Sequence, residues 1–62
     1  MKELDVVKLK KDFEDLKIGT KGTIVYEHGE GCFEVEFFDD KNETIGVFTI
    51  TEDYLELLVE FK

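Results

Sequence analysis

The residue types with chemical potential in this chain gather in two turns. His28 and Cys32 are the only histidine and the only cysteine, four residues apart across Gly29-Glu30-Gly31. A Cys–His pair can generate a nucleophilic thiolate. Catalysis also needs a third group to orient the base, and none is apparent, while a glycine turn is a poor rigid support. An exposed turn histidine and a cysteine packed as a small hydrophobe account for both residues. Glu27, His28 and Glu30 are metal-ligand types, but zinc sites often use more than one histidine, and these three share one flexible turn. Asp39, Asp40, Asn42 and Glu43 offer oxygen ligands of the kind calcium takes, at a spacing that is not that of the EF-hand. A solvated turn accounts for them. Gly29-Glu30-Gly31 is too short and too acidic to cradle phosphate. No catalytic residue, metal or cofactor is expected, and the chain does not read as an enzyme.

Charge is the stronger signal. Thr23 to Lys62 hold 11 acidic residues against two lysines, a balance of −9, whereas Met1 to Gly22 sum to +1, giving −8 overall with no arginine. Such a chain repels nucleic acid and anionic lipid and attracts basic surfaces. At 62 residues and 42% hydrophobic, with six Phe and two Tyr, it makes one small domain over residues 1–62. The aromatics argue against an acidic disordered segment. A domain of this size buries only about 60% of its unfolded surface, leaving little room for an enclosed catalytic cavity. One cysteine allows no internal disulfide, MKELDVVKLKKDF has no signal-peptide core, and no run could span a bilayer. A cytoplasmic location is expected.

Positioning falls to strands. Phe33-Glu34-Val35-Glu36-Phe37 alternates, with the apolar residues on one face and both glutamates on the other. Gly22 to Glu27 and Thr44 to Ile50 are β-branched and aromatic, and Leu4 to Leu9 is a further strand candidate. His28 to Gly31 reads as a hairpin turn and Asp39 to Glu43 as an Asx-rich turn. Gly46 marks a bulge or tight bend. In the long loop Lys10 to Lys21, Phe13, Leu16 and Ile18 are expected to fold back on the core. Thr51 to Phe61 fits a helix, with Thr51 as N-cap, or a strand; one helical turn at Thr51 to Tyr54 followed by a strand is preferred. The order predicts an all-β fold, a small five-stranded SH3-like barrel with one short helical turn before the last strand.

Three stretches resemble known families. Thr51-Glu52-Asp53-Tyr54-Leu55-Glu56-Leu57 is similar to the segment closing SH3 domains, though the aromatic groove motif and tryptophan of those domains are absent. Gly19-Thr20-Lys21-Gly22-Thr23-Ile24-Val25 resembles the glycine-centred turn of KOW modules, which bind RNA through a basic surface missing here. The broadest resemblance, from Leu4 to Leu58, is to the small bacterial domain of unknown function 4926. It rests on Leu4-Asp5-Val6-Val7-Lys8-Leu9, on Gly19 to Val25, on Phe33 to Phe37 and on a threonine-rich fourth strand. That resemblance implies an SH3-like barrel. Members are often encoded beside toxin-like domains, which hints at a neutralising partner.

The expected site is an acidic ridge made by Glu34, Glu36, Asp39, Asp40 and Glu43, flanked by Glu27 and Glu30. Phe38 faces out beside it as an apolar anchor. Like charges on neighbouring strands are unfavourable, and only Lys41 is at hand to relieve them, although the same charges also serve solubility. The leading expectation is an immunity- or antitoxin-type inhibitor that neutralises a basic, nuclease-type toxin by occluding its active cleft, with carboxylates mimicking phosphates. The alternative is a general SH3-like adaptor binding an extended peptide along a groove of Tyr26, Phe48 and Tyr54, or at a strand edge. The expected partner is thus a basic protein, not nucleic acid or membrane. Homodimerisation through an open edge is compatible with both.

Overall fold

Alternation builds the centre of the molecule. In the computed structural model, which describes residues 1–61, Phe33, Val35 and Phe37 are buried and Glu34 and Glu36 lie on the opposite face. Around this strand the chain forms β1 (Val6–Leu9), β2 (Lys21–Gly29), β3 (Cys32–Phe38), β4 (Thr44–Thr51), a 3-10 turn (Glu52–Tyr54) and β5 (Leu55–Val59). The fold is all-β, one antiparallel sheet of order β4-β3-β2-β1-β5, with the single helical turn before the last strand. Ile50 of β4 and Leu55 of β5, from opposite ends of that order, share one buried cluster with Val7, Leu9, Ile24 and the β3 residues. The sheet therefore curls around a single core. Among the described residues β4 and β5 form no ladder with each other, so both remain edges.

The turns follow their residues. Glu30 (φ 57°) and Gly31 (φ 76°) both take positive φ, as the type I′ turn of a two-residue hairpin requires. Asp39 Oδ1 accepts the N–H groups of Lys41 and Glu43, both at 2.9 Å, and Asn42 sits at φ 63°. This Asx geometry delivers the chain into β4. Opposite Phe37 and Phe38 the β4 partners are Gly46 and Thr44, leaving Ile45 as the extra residue of a bulge beside Gly46, where the sequence predicts one. Gly22 marks a close approach, since a Cβ there would stand 2.7 Å from Val35 Cγ1 and 2.8 Å from the Glu36 carbonyl oxygen.

Four sequence expectations shift. The first strand starts at Val6 rather than Leu4, because Leu4 adopts φ 74° and Asp5 turns inward. The last strand ends at Val59, before Phe61. Of the loop residues expected on the core, Leu16 is buried and Phe13 packs against it, but Ile18 is 64% exposed. Asp12 Oδ1 accepts the Ile18 N–H at 2.8 Å and fixes the loop with Leu16 inside instead. Thr51 precedes the 3-10 turn as its N-cap residue, yet its hydroxyl bonds the Asp53 side chain and not the backbone. That hydroxyl, followed by the Lys11 ammonium, holds the Asp53 carboxyl below its usual value.

Candidate functional site

Because paired residues in a ladder share a face, the register defines the outer surface. Glu36 pairs with Thr23 and Val47, and Glu34 with Tyr26 and Thr49. The two glutamates thus stand in adjacent rows across β2, β3 and β4. Each carboxylate has a tether on β4. Thr49 Oγ1 donates to Glu34 Oε2 at 2.6 Å, and Thr44 Oγ1 donates to Glu36 Oε2 at 2.9 Å. His28 Nε2 also lies 2.6 Å from Glu34 Oε2, and with the carboxylate ionised that nitrogen must carry the proton. The Thr49 hydroxyl first and the His28 imidazole second hold the Glu34 carboxyl below the usual range, against the opposing effect of partial burial. Neither Oε1 accepts a hydrogen bond from another described residue, so both carboxylates keep free acceptor capacity.

The remaining ridge residues divide. Asp39 is half-buried and spends Oδ1 on the turn, so its first role is architectural. Asp40 and Glu43 are exposed on the same turn. Phe38 is half-buried, not fully outward. It pairs with Lys21 and lines an open cleft of about 700 Å³ between the Asp15–Thr20 part of the long loop and the Asp39–Asn42 turn. Val6, Ile18 and Ile45 line the same cleft, as do Lys17, Lys21 and Asp40. The outer face therefore has an acidic part on β3 and the turn that follows it, and an apolar cleft of mixed charge beside it.

The groove expected from Tyr26, Phe48 and Tyr54 does not assemble. Val25 is an extra residue between the pairs Ile24–Val35 and Tyr26–Glu34, which turns Tyr26 to the outer face against His28. Phe48 and Tyr54 instead pack edge-to-face on Phe13, at 6.3 Å and 5.2 Å. Lys11 lies 4.5 Å over the Tyr54 ring and 3.4 Å from Asp53. The His28 ring is engaged with Glu34 and Tyr26, and Cys32 is half-buried.

Sequence reasoning missed two features. The relief of the glutamate pair comes from Thr44, Thr49 and His28 rather than Lys41; threonines on the strand beside alternating glutamates were the available signal. The other is Asp5, 1% exposed. Its Oδ1 accepts the Phe61 N–H at 2.9 Å and Lys2 Nζ at 3.1 Å, and its Oδ2 accepts the Lys2 N–H at 3.0 Å. The Phe61 N–H, then Lys2, draw the Asp5 carboxyl below its usual value, and Asp5 raises Lys2 in return. This clasp joins the two ends of the chain.

Fold and face together define a small all-β domain with an acidic outer face, part tethered and part open. The chain belongs to the family described as Domain of unknown function (DUF4926), whose model matches residues 3–57. No curated protein and no solved structure matches it. No described helix is long and apolar enough to cross a membrane.

Proposed function

We propose that this chain is a small acidic protein-binding module of the immunity or antitoxin type, which neutralises a basic, nuclease-type partner by occluding its cationic cleft. The observation that carries this reading is the pair Glu34 and Glu36, held side by side with unspent acceptor oxygens on a chain of net charge −8. Two carboxylates in fixed positions can take the place of successive phosphates, and the wider negative field raises the association rate with a basic surface. Asp40 and Glu43 extend the charge, and Phe38 with its cleft supplies an apolar anchor at the rim. Asp39 shapes the turn that presents them. The alternative, an adaptor with no inhibitory role, draws support from the uncharged edge of β4, and predicts binding that is insensitive to salt.

The test is a tagged pull-down from the source organism, eluted with rising salt and read by mass spectrometry. A near-stoichiometric basic protein released by salt is expected. Reversal of both charges, Glu34→Lys with Glu36→Lys, should weaken its binding and flatten the salt dependence. Unchanged affinity in the double variant would falsify the site.

A further inference from the structure

The two edges of the sheet are unlike. β5 is five residues long and carries Glu56. β4 runs eight residues, Thr-Ile-Gly-Val-Phe-Thr-Ile-Thr, with no charge and no proline. Natural edge strands are commonly blunted by lysine, proline, bulges or a covering segment. β4 has only the bulge at Ile45, at one end, and its register from Gly46 to Thr51 is regular. Among the described residues its only ladder is with β3. Over these six residues the main-chain donors and acceptors of alternate residues, those not directed at β3, are therefore open to another strand.

The outer face says what that strand should carry. The outward side chains of this stretch are Val47, Thr49 and Thr51, all short, and directly behind the first two stand Glu36 and Glu34. Glu36 is tethered by Thr44 of β4, and Glu34 is held through one oxygen between Thr49 of β4 and His28 of β2. A strand added to β4 would lie roughly 9–10 Å from β3, two strand spacings away. A lysine or arginine stem on its outer face can cross short Val47 and Thr49 side chains to reach the free Oε1 atoms. Outward residues recur every second position, matching the two-residue spacing of Glu34 and Glu36. We infer that the β4 edge from Gly46 to Thr51 is a strand-addition site for an extended segment of a protein partner with lysine or arginine at alternate positions. A second copy of the chain is the poorer occupant, since each copy brings a charge of −8. The choice of a basic occupant rests on the inhibitor reading above.

The probe is an end-blocked hexapeptide of alternating lysine and valine, compared with a block peptide of three lysines followed by three valines. Charge and composition are equal, so plain electrostatic attraction cannot separate them. The alternating peptide should bind at least about tenfold more tightly, and amide hydrogen exchange should show new protection at the alternate amides of Gly46–Thr51 that do not face β3. N-methylation of one set of alternate residues should abolish binding while methylation of the other set spares it, because only one set faces the ladder. Glu34→Gln with Glu36→Gln should weaken binding about tenfold without moving the protected segment. Equal affinity for the two peptides, or for the two methylated forms, overturns strand addition. So does a dimer of the free protein whose interface protects the same amides. The two proposals fail separately: a captured basic protein that leaves Gly46–Thr51 unprotected sinks the edge site and keeps the inhibitor. Peptide binding at β4 with no basic partner captured does the reverse.

Discussion

Asp5 and Glu34 are both tethered carboxylates, and they are tethered for opposite ends. Asp5 is buried and takes two main-chain N–H groups, one from a residue 56 positions away, besides the Lys2 ammonium. Every donor it meets belongs to the ends of the chain, so its charge holds the fold shut. Glu34 keeps 26% of its side chain exposed and takes donors from side chains alone, Thr49 and His28, both on one oxygen. Main-chain donors cannot leave without unfolding something, whereas a hydroxyl and an imidazole can rotate away. The first arrangement is architecture and the second is a poised surface. Asp39, although in the expected site, belongs with Asp5, because its donors are also main-chain N–H groups.

The largest expected effect breaks the frame that both regions share. Gly22 pairs with Val7 on one side and Phe37 on the other, between clasp and acidic face. In Gly22→Ala the new Cβ would meet a backbone carbonyl at 2.8 Å, which no rotamer change relieves. A loss of about 1–3 kcal/mol or more, read by urea unfolding, is expected from overpacking of this kind. Next comes Asp5→Ala, which leaves the Phe61 and Lys2 N–H groups without their acceptor and should lower the thermal midpoint more than any substitution at Glu34 or Glu36. Asp5→Asn should fall between, since its amide oxygen can serve only one side of the clasp. Equal midpoints for Asp5→Ala and Glu34→Ala would erase the distinction between the two regions.

Acid and alkali sharpen it. The Asp5 carboxyl lies below its ordinary value of 3.8, so its stabilisation is complete above that pH and is lost as pH falls through the folded value. The Lys2 ammonium lies above 10.5, so its share is complete below that pH and is lost as pH rises through the folded value. The clasp therefore shapes both limbs of the stability–pH curve, and Glu34, also depressed, only the acid one. Denaturation midpoints against pH should flatten on both sides in Asp5→Ala and on the acid side alone in Glu34→Gln.

These differences also set what could be read from residues alone. Alternation in β3 and the glycine and Asx turns are local properties, and so is the apolar row of Phe33, Val35 and Phe37. All were legible, as was the helical turn before the last strand. Glu34 and Glu36 on one face follow from the same period. Asp5 was not legible, because its partner Phe61 is remote in sequence and an aspartate opening a strand pattern reads as exposed. Tyr26 was misplaced by a single inserted residue: the bulge at Val25 moves Tyr26 and Glu27 to the opposite faces, before a second register shift between Glu27 and Gly29. Bulges follow from the balance of twist and packing over the whole sheet, which no window of sequence contains.

The smallest expected effect is the most discriminating. Thr49→Val keeps shape and β-branching at an exposed strand position and removes one hydroxyl. The fold should lose little, because Thr49 serves Glu34 and no main-chain group. The Glu34 carboxyl should rise back toward its ordinary value, since that hydroxyl is the largest cause of its depression, with His28 the remaining donor. Carboxyl-detected NMR titration reads this directly. If the hydroxyl positions the carboxylate over β4, affinity for a basic partner should drop in Thr49→Val although no charge has changed at neutral pH. If affinity is untouched while the titration moves, only the charge of Glu34 matters to the partner, and its orientation toward the β4 edge is incidental. That result would return Glu34 to the company of the untethered Asp40 and Glu43, as one more contribution to a diffuse negative field.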